Sequence, residues 1–257
     1  MRVLVTGGSG RLARHVFRAG ARSGIAFRVL SRRETASVEG VEWAVGDLAT
    51  GAGLDDALRG VKAVLHLASD PPRAARADVE GTRHLVEACD RARVAHLLYL
   101  SIIGIDAIPN PYYRHKLTAE ALIAAGATPW SILRAAQFHS FIDSLFANAA
   151  RRIAMFLPAG WRVQSVDDTE VAHRLLDALR DGPRGRLRDY AGPEVFVASE
   201  AARMWRRARG MRKPVVPVPV FGAVSAGFRA GRNTAPDGDR GRVTWAEWLR
   251  ARYGDRA

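Results

Sequence analysis

Residues 3–13 read VLVTGGSGRLA, in which an aliphatic run is followed by three closely spaced glycines and then by a helical pattern. This order predicts a strand, a tight turn and the first turn of a helix. Glycine has no Cβ and lets the backbone approach a bulky anion, while the free N–H groups at a helix N-terminus favour negative charge. The stretch therefore predicts a site for the pyrophosphate of a dinucleotide.

Up to residue 135, short β-branched runs alternate with longer helical patterns, which is typical of a parallel sheet with crossover helices. The runs predict strands at residues 3–6, 27–30, 42–45, 63–67, 97–101 and 130–133, and helices at residues 12–23, 54–58, 77–91 and 112–125. We therefore expect an α/β fold with a Rossmann-type doubly wound parallel sheet over residues 1–135. The alternation then stops, so residues 136–257 are predicted to form a smaller mixed lobe, interwoven with the first.

Composition narrows the class of protein. The 257 residues are 48% hydrophobic, which is enough for a sizeable core, and the single cysteine, Cys89, excludes an internal disulfide. No apolar run approaches the ~20 residues of a membrane span, and the first residues enter a strand instead of a signal peptide. We expect a cytoplasmic monomer or homodimer with no membrane partner.

The net charge of +13 raises the question of a nucleic-acid partner. Almost all the basic residues are arginines spread along the chain, which is typical of solvated helix faces, so no nucleic-acid partner is expected. The histidines and carboxylates show no metal-ligand spacing, and no Gly-x-Ser-x-Gly turn occurs. Metalloenzymes and hydrolases are therefore not expected.

The end of the second predicted strand indicates which dinucleotide binds. An acid there accepts from the ribose 2'-hydroxyl of NAD, whereas a cation meets the 2'-phosphate of NADP. Here Arg32 and Arg33 stand at that position, although Glu34 follows them. We expect NADP(H) in preference to NAD(H). Asp47, after the third strand, is placed either to bond the adenine amino group or to cap a helix.

Tyr112 and Lys116 lie four residues apart at the start of a predicted helix, so both project from one face. A tyrosine near a lysine ammonium and a cationic nicotinamide ring is expected to have its phenolate favoured, which suits proton transfer to a carbonyl oxygen. Ser101 ends the preceding strand and is expected to bond the same oxygen. Tyr113 is the competing tyrosine and is expected to face another direction.

Four stretches together resemble the atypical, NmrA-like branch of the short-chain dehydrogenase/reductase superfamily. They are TGGSGRL (6–12), LSIIGID (100–106), PYYRHKL (111–117) and WSILRAAQF (130–138). The resemblance implies catalytic roles for Ser101, Tyr112 and Lys116. The resemblance and the phosphate-binding turn together predict the residues that contact the cofactor. These are Gly7, Ser9, Gly10, Arg11, Leu12, Arg32, Arg33, Asp47, Leu48, Ala68 and Lys116. The chain departs from the family at Ala13, which replaces a glycine, and at residues 66–69, where many members carry an asparagine.

The leading functional prediction is an NADP(H)-dependent oxidoreductase acting on a small carbonyl or conjugated substrate. One alternative is a redox sensor that binds the dinucleotide without turnover, and another is a nucleotide-sugar epimerase-like enzyme. The retained serine, tyrosine and lysine favour chemistry. Phe138 and His139 follow the sixth strand and are candidate substrate contacts, although a buried or capping histidine is an equal alternative.

Overall fold

A parallel β-sheet is the central feature of the computed structural model, which describes residues 1–21, 23–33 and 40–254. Its first six strands lie where the sequence pattern predicts them. Buried aliphatic residues dominate these runs except the third, whose residues are half-buried or exposed. They are β1 (Arg2–Thr6), β2 (Ala26–Ser31), β3 (Val41–Val45), β4 (Ala63–His66), β5 (His96–Ile102) and β6 (Trp130–Ala135).

The helices between these strands are α1 (Arg11–Gly20), α2 (Leu54–Ala57), α3 (Gly81–Ala92) and α4 (Pro111–Ala125). The sequence predicted one continuous helix over residues 77–91, and that prediction is wrong at its start. A wider, π-helical turn covers Ala75–Glu80 and passes directly into α3. Such turns are frequent at functional sites, and this one carries a buried carboxylate, Asp78.

The six strands lie in the order β3-β2-β1-β4-β5-β6, and the predicted Rossmann-type doubly wound architecture is confirmed. The central β1 pairs with β2 on one side and β4 on the other, and Thr6 lies beside His66 at their carboxyl ends. The strand order reverses at β1. Ligands of such sheets bind outside the carboxyl ends of the strands at that reversal, so the loops after β1, β2 and β4 locate the candidate site.

The described chain divides into two compact units. The first comprises Met1–Ser101, Pro111–Leu133 and Ala172–Leu187, and the second comprises Ile102–Asn110, Arg134–Val171 and Arg188–Ala257. The core of the first unit joins sheet residues such as Leu4 and Leu97 to Leu85 and Cys89 of α3. Burial raises the pKa of the Cys89 thiol to about 12, which agrees with a packed, unreactive cysteine.

The later elements are short strands and mixed helices. They are α5 (His139–Ala149), β7 (Met155–Pro158), β8 (Arg162–Val163), α6 (Asp168–Asp181), β9 (Gly185–Arg186), β10 (Tyr190–Ala191), β11 (Phe196–Val197), α7 (Ala198–Ala208), β12 (Val215–Val218), α8 (Ala223–Arg229), β13 (Asp239–Arg240) and α9 (Trp245–Tyr253). The core of the second unit packs Ile142 and Phe146 of α5 against Trp205 and Trp245. Phe141 and Leu145 of the same helix are exposed.

Candidate functional site

The glycine turn after β1 approaches two neighbouring segments closely. Gly7 has a φ of +71°, and a Cβ on it would lie 2.7 Å from the backbone nitrogen of Ala68. A Cβ on Gly8 would lie 2.3 Å from Cγ1 of Val29 in β2. The turn closes through a 3.0 Å hydrogen bond from the Gly10 N–H to the Gly7 carbonyl, and α1 begins at the next residue. Glycine is thus required here by geometry, as the sequence predicted.

A cleft of about 920 Å³ opens at this turn. Several of the expected cofactor contacts line it, namely Gly7, Ser9, Arg32, Arg33, Asp47, Leu48 and Ala68. The other expected contacts, Gly10, Arg11, Leu12 and Lys116, are not among its lining residues. Leu12 is buried, so it contributes packing at this helix start.

Arginines from two sides line this cleft. Arg32 and Arg33 follow β2, and Arg73 and Arg76 come from the segment after β4, which the sequence reasoning missed. All four side chains are exposed. Four guanidinium groups around one cleft favour an anionic ligand. Glu34, which weakened the charge argument, lies outside the described residues.

Asp47 also lies in this cleft, and its Oδ1 accepts a 2.9 Å hydrogen bond from the Ala49 N–H. This bond closes a turn after β3. Asp47 is not the helix cap that the sequence offered as an alternative, because Gly53 occupies the N-cap position of α2. The bond from Ala49 occupies one carboxylate oxygen, and the carboxylate keeps further acceptor capacity.

Tyr112 and Tyr113 differ clearly in their surroundings. Tyr113 is buried, whereas Tyr112 is half-buried and its hydroxyl lies 2.7 Å from the Oγ of Ser69, a residue that lines the cleft. Burial raises the pKa of Tyr112 to about 12, while the hydrogen bond with Ser69 acts in the opposite direction. The favoured phenolate, which was expected beside a bound cationic nicotinamide, stays a prediction. Tyr112 remains a protonated hydroxyl at neutral pH.

Lys116 is buried, and its contacts lie inside the protein. Its Nζ donates a 3.2 Å hydrogen bond to the carbonyl of Leu100, lies 3.7 Å from Oδ1 of Asp78, and stands 4.3 Å from the centre of the Tyr99 ring. Burial lowers the pKa of Lys116 to about 8, and the charge of Asp78 opposes that shift. At neutral pH the lysine is therefore predominantly an ammonium held by a buried carboxylate.

Ser101 lies at the end of the predicted strand, but its side chain is buried. Its Oγ has no hydrogen-bond partner among the described residues. Because this atom is enclosed, it does not present a hydroxyl to a ligand in the cleft. The sequence pattern located the residue correctly and could not reveal which way the strand turns its hydroxyl.

A buried hydrogen-bond chain connects the carboxyl ends of β1 and β4 to the π-helical turn. The Ala68 N–H donates to Oγ1 of Thr6, which lies 2.6 Å from Nδ1 of His66. Nε2 of His66 lies 3.0 Å from Oγ1 of Thr82, which donates to the carbonyl of Asp78. Only a neutral imidazole with its proton on Nε2 satisfies every partner, since the Thr82 hydroxyl proton is already used. Burial lowers the pKa of His66 to about 3.

Of the two alternatives that the sequence left open for His139, the structure favours the buried histidine. His139 is buried in the second unit, with Nδ1 2.8 Å from Oγ of Ser165 and Nε2 3.2 Å from the carbonyl of Val243. Its ring also packs near Trp245. Both ring nitrogens are therefore used in packing the lobe. Phe138, half-buried just before α5, stays an untested prediction.

No group of metal-ligating side chains occurs within the described ranges. No helix in that part of the chain is long and apolar enough to cross a membrane.

The fold and the glycine-turn cleft define a dinucleotide-binding α/β protein. The chain belongs to the NAD(P)H-binding family, whose sequence profile matches residues 7–181. Among curated proteins, it is similar to (4-alkanoyl-5-oxo-2,5-dihydrofuran-3-yl)methyl phosphate reductase of Streptomyces griseus subsp. griseus, with 31% identity over 81% of this chain and 74% of the relative. It is also 24% identical to photosystem II assembly factor Ycf39 of Trieres chinensis, over 86% of this chain and 73% of that protein.

Solved structures share the fold. A short-chain dehydrogenase/reductase superfamily protein from Agrobacterium tumefaciens with bound NAD superposes with a TM-score of 0.74 at 23% identity, covering 98% of this chain and 95% of that chain. A nucleoside-diphosphate-sugar epimerase from Staphylococcus aureus gives a TM-score of 0.77 at 17% identity, covering 97% and 99%. These structures confirm the fold that the predicted resemblance implies, while placement in the NmrA-like branch stays a prediction.

Proposed function

We propose that this protein is an NADP(H)-dependent oxidoreductase that reduces or oxidises a small carbonyl or conjugated compound. The observation that carries the proposal is the position of the Tyr112 hydroxyl. It is hydrogen-bonded to Ser69, and Ser69 lines the same cleft as the glycine turn and Arg32. A proton donor therefore stands beside the predicted dinucleotide site, which is the requirement for this class of reaction.

The residues present fit a phosphorylated dinucleotide. Gly7 and Gly8 line the cleft and carry no side chain, so bare backbone borders it. A Cβ at either position would meet Ala68 or Val29. The turn would hold the pyrophosphate, and Arg32 and Arg33 would hold a 2'-phosphate through guanidinium hydrogen bonds. Asp47 and Leu48 would border the adenine. When bound, the dinucleotide supplies or accepts the hydride.

Tyr112 would donate the proton in the direction of reduction. Its raised pKa keeps the hydroxyl protonated at neutral pH, so the proton is available to an oxygen that gains negative charge. The ammonium of Lys116 would favour the resulting phenolate from one helical turn away. The reductase relative, by its name, acts on an unsaturated lactone that carries an alkanoyl group, which supports a conjugated carbonyl as the substrate class.

A second candidate is a regulator that binds the dinucleotide without turnover. It is favoured by the internal contacts of Lys116, which donates to the Leu100 carbonyl and lies against Asp78. It is also favoured by similarity to a protein named as an assembly factor. The epimerase alternative rests on structural neighbours at 17% identity, which share only the fold, and we do not advance it.

The two candidates are separated by following NADPH oxidation with a panel of quinones, enones and acyl-substituted unsaturated lactones. For the oxidoreductase, we expect turnover with at least one compound. Tyr112→Phe should abolish that turnover while the Kd for NADPH stays within about threefold. Tyr113→Phe is the matched control and should retain turnover. NADPH binding without oxidation of any compound would favour the regulator, and failure to bind either nicotinamide nucleotide would exclude both candidates.

A further inference from the structure

Ser69 and Ser101 are both candidates to act with Tyr112, and they differ in the exposure of their hydroxyls. Ser69, after β4, is exposed on the wall of the cleft, and its Oγ lies 2.7 Å from the Tyr112 hydroxyl. The Oγ of Ser101 is buried and has no partner among the described residues. Only the first of these hydroxyls is accessible from the cleft. We propose that Ser69, in place of Ser101, supplies the hydroxyl that acts with Tyr112 on the oxygen of the substrate.

This inference rests on the proposed oxidoreductase function. The oxidoreductase proposal, in turn, does not depend on a role for Ser69. Two hydroxyl oxygens 2.7 Å apart are at the usual spacing of an O–H···O hydrogen bond. A single acceptor oxygen can replace that bond by taking one hydrogen bond from each hydroxyl. Ser69 and Tyr112 thus form a two-donor site for a carbonyl oxygen, the arrangement that stabilises developing negative charge.

The backbone on both sides of Ser69 is anchored. The Ala68 N–H donates a 3.3 Å hydrogen bond to Oγ1 of Thr6, and the Asp70 N–H donates a 3.2 Å hydrogen bond to Oδ2 of Asp78. Thr6 and Asp78 are fully buried, so they fix the loop against the sheet and the π-helical turn. Such preorganisation is what a catalytic donor needs, because its position is then set before the substrate arrives.

The proton balance is simple in the direction of reduction. The carbonyl carbon gains a hydride from the reduced dinucleotide, the π electrons move onto the oxygen, and the oxygen takes the proton of Tyr112. Ser69 keeps its own proton and donates it as a hydrogen bond, first to the substrate oxygen and then to the Tyr112 phenolate. Water returns a proton to Tyr112. The hydrogen bond with Ser69 already lowers the pKa of Tyr112, whereas burial, Asp78 and Tyr113 raise it.

The first test compares kcat and KM among serine variants, using NADPH and the best compound of the panel. Ser69→Ala should lower kcat on the order of 100-fold, as removal of one oxyanion donor does, with KM changed far less. Ser69→Thr restores a hydroxyl at an exposed position and should recover most of kcat. Ser101→Ala should cost less than Ser69→Ala. Ser23→Ala, which removes a hydroxyl that donates to the carbonyl of Gly20 at the end of α1, is the control outside the cleft.

The second test needs neither turnover nor cofactor. In protein labelled with ¹³C at tyrosine Cζ, the signal lost in Tyr112→Phe identifies Tyr112. That signal should move in Ser69→Ala, return towards its original position in Ser69→Thr and stay in place in Ser23→Ala. A signal unmoved by Ser69→Ala, or full kcat in that variant, would overturn the role of Ser69 and leave the oxidoreductase proposal intact. Absence of any turnover in the unmodified protein would overturn the oxidoreductase proposal itself, even where the signal shows the two hydroxyls coupled.

Discussion

The ammonium of Lys116 lies 3.7 Å from Oδ1 of Asp78, and both side chains are buried. Asp78 reaches this position because a π-helical turn, and not a regular helix, precedes α3. The same carboxylate accepts from the Asp70 N–H through Oδ2. One buried acid therefore holds both the candidate catalytic lysine and the loop that carries Ser69.

Removing the carboxylate should strongly destabilise the protein. Asp78→Ala leaves the Lys116 charge buried without its partner, and breaking such a pair costs about 3–5 kcal/mol of unfolding free energy. Denaturant unfolding measures the loss. The matched control is Asp55→Ala, which breaks an exposed pair with Arg91 and should cost about 1 kcal/mol or less. Equal losses in the two variants would contradict the buried-pair interpretation.

Gly7→Ala tests the close approach at the turn. An alanine is strained at a φ of +71°, and its Cβ would lie 2.7 Å from the backbone nitrogen of Ala68. Both the stability of the protein and its affinity for NADPH should therefore fall. Gly24→Ala is the matched control, since Gly24 has a φ of +68° but, among the described residues, no heavy atom within 4 Å of the new Cβ. It should cost only about 1–2 kcal/mol of backbone strain and leave the Kd unchanged. A Gly7→Ala protein that binds NADPH normally would argue against the turn as the phosphate site.

Arg32→Ala tests the preference for NADP(H). Loss of a charge-assisted bond to a 2'-phosphate should weaken NADPH binding by roughly 10- to 100-fold and change NADH binding little. Fluorescence titration with each dinucleotide gives the two Kd values. Arg18→Ala removes an arginine from the last turn of α1 and is the control for net charge. Equal weakening of NADPH and NADH by Arg32→Ala would remove the basis for choosing NADP(H).

The lowered pKa of His66 predicts that the protein loses stability in acid. The pKa of His66 is about 3 in the folded protein against the ordinary histidine value of 6.5, so the unfolded chain binds the proton more readily between these values. The unfolding free energy should therefore fall as the pH drops from about 6.5 towards 3, with His66 accounting for on the order of 4 kcal/mol at the lower limit. Buried His96, whose pKa is lowered to about 4, adds to the same trend.

The variant His66→Asn should flatten this dependence, although it lowers stability at neutral pH by disturbing the bonds to Thr6 and Thr82. Urea unfolding at a series of pH values measures the slope. An unchanged slope in His66→Asn would show that other groups cause the acid sensitivity.

The sequence by itself determined the sheet, the glycine turn and the family of cofactor. These features depend on residues that are close together in the sequence. Runs of β-branched residues favour strands, and closely spaced glycines mark the positions of a tight turn. The position of the arginines after β2 could also be predicted from the sequence, because the end of each strand has a fixed place in a doubly wound sheet.

Only the tertiary structure decided which side chains meet at the candidate site. Ser69 and Tyr112 are 43 positions apart. The sequence pattern favours Ser101 as the partner, although its side chain is buried. His139 likewise follows a strand end, yet it is enclosed by Ser165 and the carbonyl of Val243. Sequence periodicity gives the face of an element on which a residue lies. Whether that face borders a cleft or a core depends on packing between distant segments, which no local pattern records.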